Sequence, residues 1–290
     1  MRVQKSFKEE QASGTLYLVP TPIGNLQDMT FRALETLKAV DLICAEDTRN
    51  TGLLLKHFQI TTRQVSFHQH NAYDKIPQIL EWLLSGKSVA QVSDAGMPSI
   101  SDPGHDLVQA ALQAAIPVVA LPGPSAGITA LIASGLAPQP HVFYGFLPRK
   151  KGQQAAFFES KKAYPETQIF YESPYRLADT LKHMQAIYGD RKLVLVRELT
   201  KRFEEYQRGT ISEIRTFIET HPLKGECLII VEGDKGESAY EQELAHQDPL
   251  ALIEARIQAG EKPNQAIKAV AKALGRNRQA LYADYHQSKG

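Results

Sequence analysis

The 290-residue sequence lacks several features that would assign it to a familiar class. Its two cysteines, Cys44 and Cys227, both lie in apolar, strand-like runs, too few for a disulfide framework and without the CxxC spacing of a zinc site. No apolar run is long enough to cross a bilayer. Residues 1–13 are polar and contain no apolar stretch of signal-peptide length. These absences favour a cytoplasmic protein.

Two common nucleotide-binding signatures are also missing. No GxGxxG follows a strand candidate, and no GxxxxGK[ST] occurs, which excludes a P-loop. Hydrophobic residues nevertheless make up 43% of the chain, enough to bury a sizeable core. The net charge of +1 says nothing as a total, so only local clusters of charge can indicate a polyanionic partner.

Short β-branched or aromatic runs alternate with helical patterns along most of the chain. This alternation predicts an α/β architecture with a largely parallel sheet. One helix is predicted over 31–40, with Phe31, Leu34 and Leu37 on one face, and N-caps are predicted at Thr30, Asp102 and Ser173. The strand candidates are 15–19, 42–45, 65–67, 88–92, 118–121, 142–146, 168–171, 193–196 and 227–231.

The order of these elements predicts three structured regions. They are an α/β domain over 14–121, a second α/β domain over 122–233 and a helical unit over 248–290, with a polar tail at 1–13 and a linker at 234–247. In the helical unit, Pro263 opens one helix, Gly275 ends it and Asn277 caps the next. Leu281 and Tyr285 then form an i, i+4 pair, which indicates a helix-turn-helix arrangement.

Loops rich in proline and glycine follow three of the strand candidates, over 19–24, 92–104 and 121–126. In α/β folds, ligands bind beyond the carboxyl ends of the strands, so a site is expected at these loops. Asp102 is interpreted as a cap for the helix after Pro103. Asp94 lies too far upstream for that role and is interpreted as functional. Ser125, taken alone, is read as a cap for the following helix.

Motifs at 16–26, 92–104, 121–126 and 171–176 together resemble the tetrapyrrole-methylase family. The segments 45–49 and 66–71 and the helical C-terminus resemble its ribosomal RNA small subunit methyltransferase I branch. The resemblance covers the chain from about Gly14 to its end. It implies a class III methyltransferase fold of two α/β domains, with S-adenosyl-L-methionine in the cleft between them and a homodimer. The implied reaction is 2′-O-methylation of a decoding-centre cytidine in 16S rRNA, with the rRNA expected to be bound within the assembled 30S subunit.

The resemblance implies the cofactor-binding residues, and the chemistry of neighbouring loops and basic clusters suggests the catalytic and RNA-contacting residues. Methyl transfer to a ribose hydroxyl is helped by a nearby base or a cation, and the candidates are Asp47, Arg49 and His68. The cofactor-binding set is Pro22, Ile23, Asp94, Gly96, Met97, Ser99, Ile100, Ser125, Ala126, Tyr171, Leu199 and Glu226. The expected RNA contacts are Glu46, Asn71, Arg149, Lys150, Lys268, Arg276 and Arg278.

Alternatives remain open at this point. Glu46, Asp47 and Arg49 can instead form an ion-pair network at a strand end, and either carboxylate can replace His68 as the base. His68 and His70 form an HxH pair without a further ligand set, so no metal is expected. The segment from Ala255 to Lys289 contains seven Lys or Arg and only two acidic residues. This excess of positive charge favours a polyanionic substrate over a tetrapyrrole. A tetrapyrrole methyltransferase, a protein methyltransferase and a non-catalytic RNA-binding module are the competing functions.

Overall fold

The computed structural model describes residues 3–4, 13–100, 102–236, 248–258, 260–274 and 276–287. They form two compact units, Met1–Gly233 and Asp234–Gly290. The described strands are β1 Leu16–Leu18, β2 Leu42–Ala45, β3 Gln64–Ser66, β4 Val89–Val92, β5 Val118–Ala120, β6 His141–Phe146, β7 Thr167–Glu172, β8 Lys192–Arg197, β9 Glu205–Thr210 and β10 Cys227–Val231. The described helices are α1 Phe31–Ala39, α2 Thr48–His57, α3 Ala72–Leu84, α4 Gly104–Gln113, α5 Ala126–Ser134, α6 Lys151–Lys161, α7 Leu177–Tyr188, α8 Ile211–Thr220, α9 Pro249–Gln258, α10 Pro263–Ala273 and α11 Arg278–Gln287.

The first sheet has the strand order β3-β2-β4-β1-β5, and every pairing in it is parallel. The central strands β2 and β4 are buried throughout because apolar clusters cover both faces of the sheet. One cluster includes Leu37 of α1, and the other includes Ile79 of α3 and Leu107 of α4. Parallel connections bring the carboxyl ends of β1, β2 and β4 to one edge, where the loops predicted to bind a ligand lie.

The second sheet corrects the expectation of a largely parallel architecture. Its order is β6-β7-β10-β8-β9, and only the β6–β7 pairing is parallel. Strand β9 was not predicted: its sequence, EYQRGT, is polar, and it pairs only with β8 at the sheet edge. Helix α5 packs Ala130 and Leu131 against one face of this sheet, together with Ile169 of β7. The proposed boundary between residues 121 and 122 stays a prediction.

The predicted helix starts have mixed outcomes. Thr30 caps α1 by accepting a hydrogen bond from the Ala33 backbone at 3.1 Å, which confirms that cap. Phe31, predicted on the apolar face of α1, is instead 87% exposed. The predicted cap at Ser173 is wrong, because α7 begins only at Leu177. The Ser173 amide is bound by the Glu172 carboxylate, and its carbonyl accepts from Arg176, so a turn precedes the helix.

The second unit is helical, as the sequence predicts. Ile267, Val270, Leu281 and Tyr285 are buried in its core, and Asn277 caps α11 by accepting a hydrogen bond from the Gln279 amide at 2.8 Å. Gly275, predicted to end the preceding helix, lies outside the described residues. None of the helices in the described ranges combines the length and apolar composition needed to cross a membrane.

Candidate active site

Two adjoining cavities lie in the first unit, where the loops of the first sheet meet α5 and the second sheet. The main cavity measures about 490 Å³ and the adjoining cavity about 420 Å³. Five residues line both of them: Ile23, Ala95, Ala126, Phe146 and Tyr171. Shared walls of this kind make one continuous space with two lobes, a shape that suits an extended ligand with chemically different ends.

Most of the predicted cofactor residues lie in this space. The main cavity is lined by Ile23, Gly96, Met97, Ile100, Ser125 and Ala126, and the adjoining cavity by Leu199 and Glu226, with Tyr171 in both. Pro22, Asp94 and Ser99 are not among the lining residues of either lobe. The structure also brings Phe143 and Phe146 of β6 into the main cavity, which sequence reasoning missed because they occur in an ordinary apolar strand pattern.

Ser125 lies at the N-terminus of α5, where its hydroxyl does not bind the backbone of the helix. It occupies the cap position, but its side chain makes no cap hydrogen bond, so the capping interpretation is not realised. The first amides of the helix therefore keep donors directed beyond its N-terminus, beside the main cavity. A serine hydroxyl together with a helix N-terminus favours a carboxylate or another anionic group.

The loop after β4 is fixed by Asp102. Its carboxylate accepts hydrogen bonds from the backbone amides of Ser99, at 2.9 Å, and Gly104, at 2.8 Å. The cap position of α4 is Pro103, so Asp102 bonds the first helical amide from one residue before the cap, and the predicted N-cap is displaced by one residue. Gln91 donates to the same carboxylate. These bonds hold Ser99 in the left-handed region, at φ 69°, where a non-glycine residue is strained. Asp102 thereby fixes the loop that places Met97 and Ile100 in the lining of the main cavity.

A dividing wall separates the main cavity from a smaller one. We define the wall as the segments 21–24 and 93–96, which are joined by reciprocal backbone hydrogen bonds of 3.0 Å between Thr21 and Gly96. The buried Thr21 hydroxyl also donates to the Ser93 carbonyl at 3.0 Å. Ile23 faces the main cavity, whereas Pro22 lines the smaller cavity, which measures about 240 Å³.

Asp94 faces the smaller cavity. Its carboxylate accepts hydrogen bonds from the Asp47 backbone amide, at 3.1 Å, and from the Asn50 side-chain amide, at 3.2 Å. Its own backbone amide donates to Glu46 at 3.4 Å. Asp94 therefore connects the end of β4 to the start of α2, and it is among the lining residues of the smaller cavity but not of the main one.

Glu46 is the acidic residue of the 46–49 segment that lines the main cavity. Burial raises the pKa of its carboxyl above the ordinary value, an effect opposed by the hydrogen bond from the Asp94 backbone and reinforced by the neighbouring carboxylates. A half-buried carboxylate with a raised pKa on a cavity wall has the properties of a proton acceptor. The sequence had assigned Glu46 to RNA contact and had left it open as an alternative to His68 as the base.

Asp47 and Arg49 form an exposed ion pair, the alternative left open by the sequence. Asp47 Oδ2 lies 2.6 Å from Arg49 Nη2, and the Arg49 side chain is 88% exposed. Hydrogen bonds from Arg49 lower the pKa of Asp47 to about 2, so this carboxylate is a poor proton acceptor. Neither residue lines the three cavities described above.

His68 and Asn71 stabilise a turn between β3 and α3. Asn71 accepts a hydrogen bond from the His68 backbone at 2.9 Å and donates to the Ser66 carbonyl. The His68 ring lies 5.9 Å from that of His70, and its buried Nδ1 has no hydrogen-bond partner. The structure does not bring His68 into the cavities, and no group of three or more potential metal ligands occurs within the described ranges.

The predicted RNA contacts outside the 46–71 region lie on exposed surfaces. Arg149 and Lys150 precede α6 in the first unit. Lys268, Arg276 and Arg278 are exposed in the helical unit. Exposed basic side chains are suited to phosphate contact, which requires no specific pocket.

Comparison with known proteins fits this arrangement. The model of the tetrapyrrole (corrin/porphyrin) methylases matches residues 15–215. "Ribosomal RNA small subunit methyltransferase I" of Streptococcus pyogenes serotype M1 is 71% identical over 286 residues, which are 99% of each chain. The chain belongs to the ribosomal RNA small subunit methyltransferase I family. Another member of this family, from Bacillus subtilis (strain 168), is 47% identical over 288 residues, again 99% of each chain.

Solved structures of more distant proteins share the fold of this methyltransferase I family member. Diphthine synthase superimposes with a TM-score of 0.60 at 12% identity, over 76% of this chain and 90% of that one. Cobalt precorrin-4 methyltransferase gives 0.56 at 16% identity, over 75% and 94%. These similarities confirm the predicted class III methyltransferase fold, and the family match confirms the resemblance found in the sequence motifs.

Proposed function

We propose that the chain transfers a methyl group from S-adenosyl-L-methionine to the ribose 2′-hydroxyl of a cytidine in the decoding centre of 16S rRNA. The proposal includes an assembled 30S subunit as substrate, a homodimer as the active form and a cytoplasmic location. The chemistry rests on one observation, the Glu46 carboxylate on the wall of the main cavity. The rRNA substrate rests on full-length similarity to relatives named for it.

The lining of the two lobes fits S-adenosyl-L-methionine. When bound, this cofactor would supply a methyl group activated by a sulfonium sulfur. Ser125 and the N-terminus of α5 would hold a carboxylate, and Met97 and Ile100 would pack against apolar parts of the ligand. In the adjoining lobe, Glu226 would accept hydrogen bonds from an amino group, with Leu199 and Tyr171 beside it.

Glu46 would act on the acceptor. A ribose hydroxyl is a weak acid, so its oxygen attacks more readily when a carboxylate takes its proton as the new bond forms. A carboxylate oxygen of Glu46 would take the hydroxyl proton as the ribose oxygen accepts the methyl group that the bound cofactor would supply. The remaining task of the protein is alignment, which the fixed dividing wall supports.

Basic side chains would supply the affinity for RNA. Arg49 is nearly fully exposed and is held in place by Asp47, a suitable arrangement for a phosphate contact close to the cavity. Arg149 and Lys150 would contribute in the first unit, and Lys268, Arg276 and Arg278 in the helical unit. Asn71 would support this surface indirectly by holding the turn at His68.

The pH dependence of the reaction follows from the raised pKa of Glu46. Only the ionised carboxylate accepts a proton, so kcat/KM should increase with pH through the pKa of Glu46, which lies above the ordinary pKa of a glutamate carboxyl, and then level off. Substitution Glu46→Gln should remove this inflection from the residual activity. The measurement is the initial rate of methyl transfer at constant ionic strength across acidic to neutral pH. A wild-type profile without an inflection would contradict the assignment.

The proposed function is tested by transfer of a labelled methyl group. The donor is labelled S-adenosyl-L-methionine, and the acceptors are small ribosomal subunits from cells that lack the protein, with deproteinised 16S rRNA in parallel. We expect label in a 2′-O-methylated cytidine of the subunits and less in naked rRNA. Label in protein or in a tetrapyrrole, with none in RNA, would replace the proposed substrate with one of the competing classes.

A further inference from the structure

The smaller cavity beyond the dividing wall has no role in the function proposed so far. It is lined by Thr21, Pro22 and Gly24 of the wall and by Asn50, Leu53 and Leu54 of α2, with Asp94 between them. Leu53 is 71% exposed and Leu26, also in the lining, is 41% exposed. Large apolar side chains presented at the mouth of a partly polar cavity suit a flat ring with a hydrogen-bonding edge.

The cavity also has a polar pair with defined orientation. Asn50 Nδ2 donates to Asp94 Oδ2 at 3.2 Å, and because a carboxylate only accepts, the amide nitrogen must face it. Asp94 Oδ1 is held by the Asp47 amide at 3.1 Å, which fixes the carboxylate relative to α2. A carboxylate accepts about four hydrogen bonds, so Asp94 keeps acceptor capacity beside the donor group of Asn50.

The position of the cavity points to the acceptor nucleotide. It shares Ser93 with the main cavity, and Asp94 bonds to Glu46 through its backbone amide. In a nucleotide, the 2′-hydroxyl is attached to the ribose carbon next to the one that carries the base. A base held behind the dividing wall would therefore place its own 2′-hydroxyl near Glu46. Arg49, adjacent to Asn50 on α2, would meet a flanking phosphate.

We propose that this smaller cavity binds the base of the acceptor nucleotide, with Asn50 and Asp94 on its hydrogen-bonding edge and Leu53 on its face. The inference rests on the proposed function and assigns it a substrate subsite. Cytosine presents an amino donor beside a ring acceptor, which matches the carboxylate of Asp94 beside the amide donor of Asn50. Uracil reverses this pattern at the same two positions. The base must leave its stack to enter, as in other enzymes that modify single nucleotides.

The test compares wild type with Asn50→Ala and with Lys56→Ala, an exposed residue of the same helix that is not in the cavity lining. The substrates are small subunits carrying either cytidine or uridine at the position that the wild type methylates. We expect Asn50→Ala to lower kcat/KM on the cytidine subunit about 10- to 100-fold and to reduce the preference for cytidine. The dissociation constant for S-adenosyl-L-methionine, measured by calorimetry, should match the wild-type value, and Lys56→Ala should behave as wild type.

Three outcomes would overturn the inference. An equal loss on both subunits would assign Asn50 a merely structural role, and an unchanged rate would remove it from the substrate site. Weakened cofactor binding would instead assign the cavity to the cofactor, as the sequence-based placement of Pro22 and Asp94 implied. A wild-type protein that labels no ribose would overturn the proposed function itself, so the two failures are distinguishable.

Discussion

Replacing Glu46 with glutamine should lower the rate of methyl transfer about 10²- to 10⁴-fold, the usual contribution of a general base. Glutamine preserves the size of the side chain and can still accept a hydrogen bond from the Asp94 backbone, but it cannot take the proton of the acceptor hydroxyl. The loss should therefore fall mainly on kcat in single-turnover reactions with saturating subunits, while cofactor affinity stays near the wild-type value.

Asp47→Asn is the matched control for this substitution. Asp47 is the next residue along the chain, but its carboxylate is paired with Arg49 on the surface and its pKa is lowered to about 2. We expect this variant to change KM for subunits several-fold at most, by releasing Arg49. Should Asp47→Asn or His68→Ala abolish the chemical step while Glu46→Gln retains it, the base would be one of the residues first inferred from sequence.

Replacing Glu172 with alanine should destabilise the first unit by about 3 kcal/mol, because the Ser173 amide, the Thr180 hydroxyl and the Arg176 guanidinium lose the buried carboxylate that binds them. Glu172 is 3% exposed. Its oxygens accept hydrogen bonds of 2.8 Å from the Ser173 amide and the Thr180 hydroxyl, and the Arg176 guanidinium lies 3.4 Å away. The Arg176 side chain is 31% exposed, so water can partly solvate its charge once the carboxylate is removed. The expected loss of stability therefore lies at the low end of the range for breaking a buried ion pair.

The measurement is urea unfolding followed by the fluorescence of the single tryptophan, Trp82, which lies in α3 of the same unit. Glu159→Gln provides the control, since Glu159 pairs with Lys162 in the open, where both side chains are about half exposed. Its free energy of unfolding should stay within about 0.5 kcal/mol of the wild-type value. Equal effects of the two substitutions would show that the Glu172 network contributes no more than a surface ion pair.

Much of the fold could be predicted from the sequence because apolar periodicity reports burial. Strands β2, β4 and β10 are buried throughout, and their apolar runs marked them with errors of at most one residue. Strand β9 lacked this signal, since an edge strand with polar side chains needs only one partner. Because β9 was not predicted, the β8–β9 hairpin was not predicted either. The antiparallel pairings of the second sheet therefore could not be anticipated.

The site was predictable as a set of loops but not as a set of contacts. Strand-end loops converge in any parallel sheet, so Gly96, Met97 and Ser125 were placed correctly beside one cavity. Which way each side chain points depends on the turn that holds it. Asp94 was expected to bind the cofactor, which stays a prediction, and its bonds to the start of α2 place it in the lining of the smaller cavity.

The dividing wall has a consequence for how such an enzyme can diversify. Its two segments are tied by backbone hydrogen bonds between Thr21 and Gly96, which do not depend on the identity of the side chains facing either cavity. Helix α2 contributes Asn50 and Leu53 to one side only. Substitutions in α2 would alter which group the smaller cavity admits and would leave the main cavity unchanged. Because one wall divides the two cavities, related enzymes can change the reactant bound on one side while keeping the cavity for the other reactant.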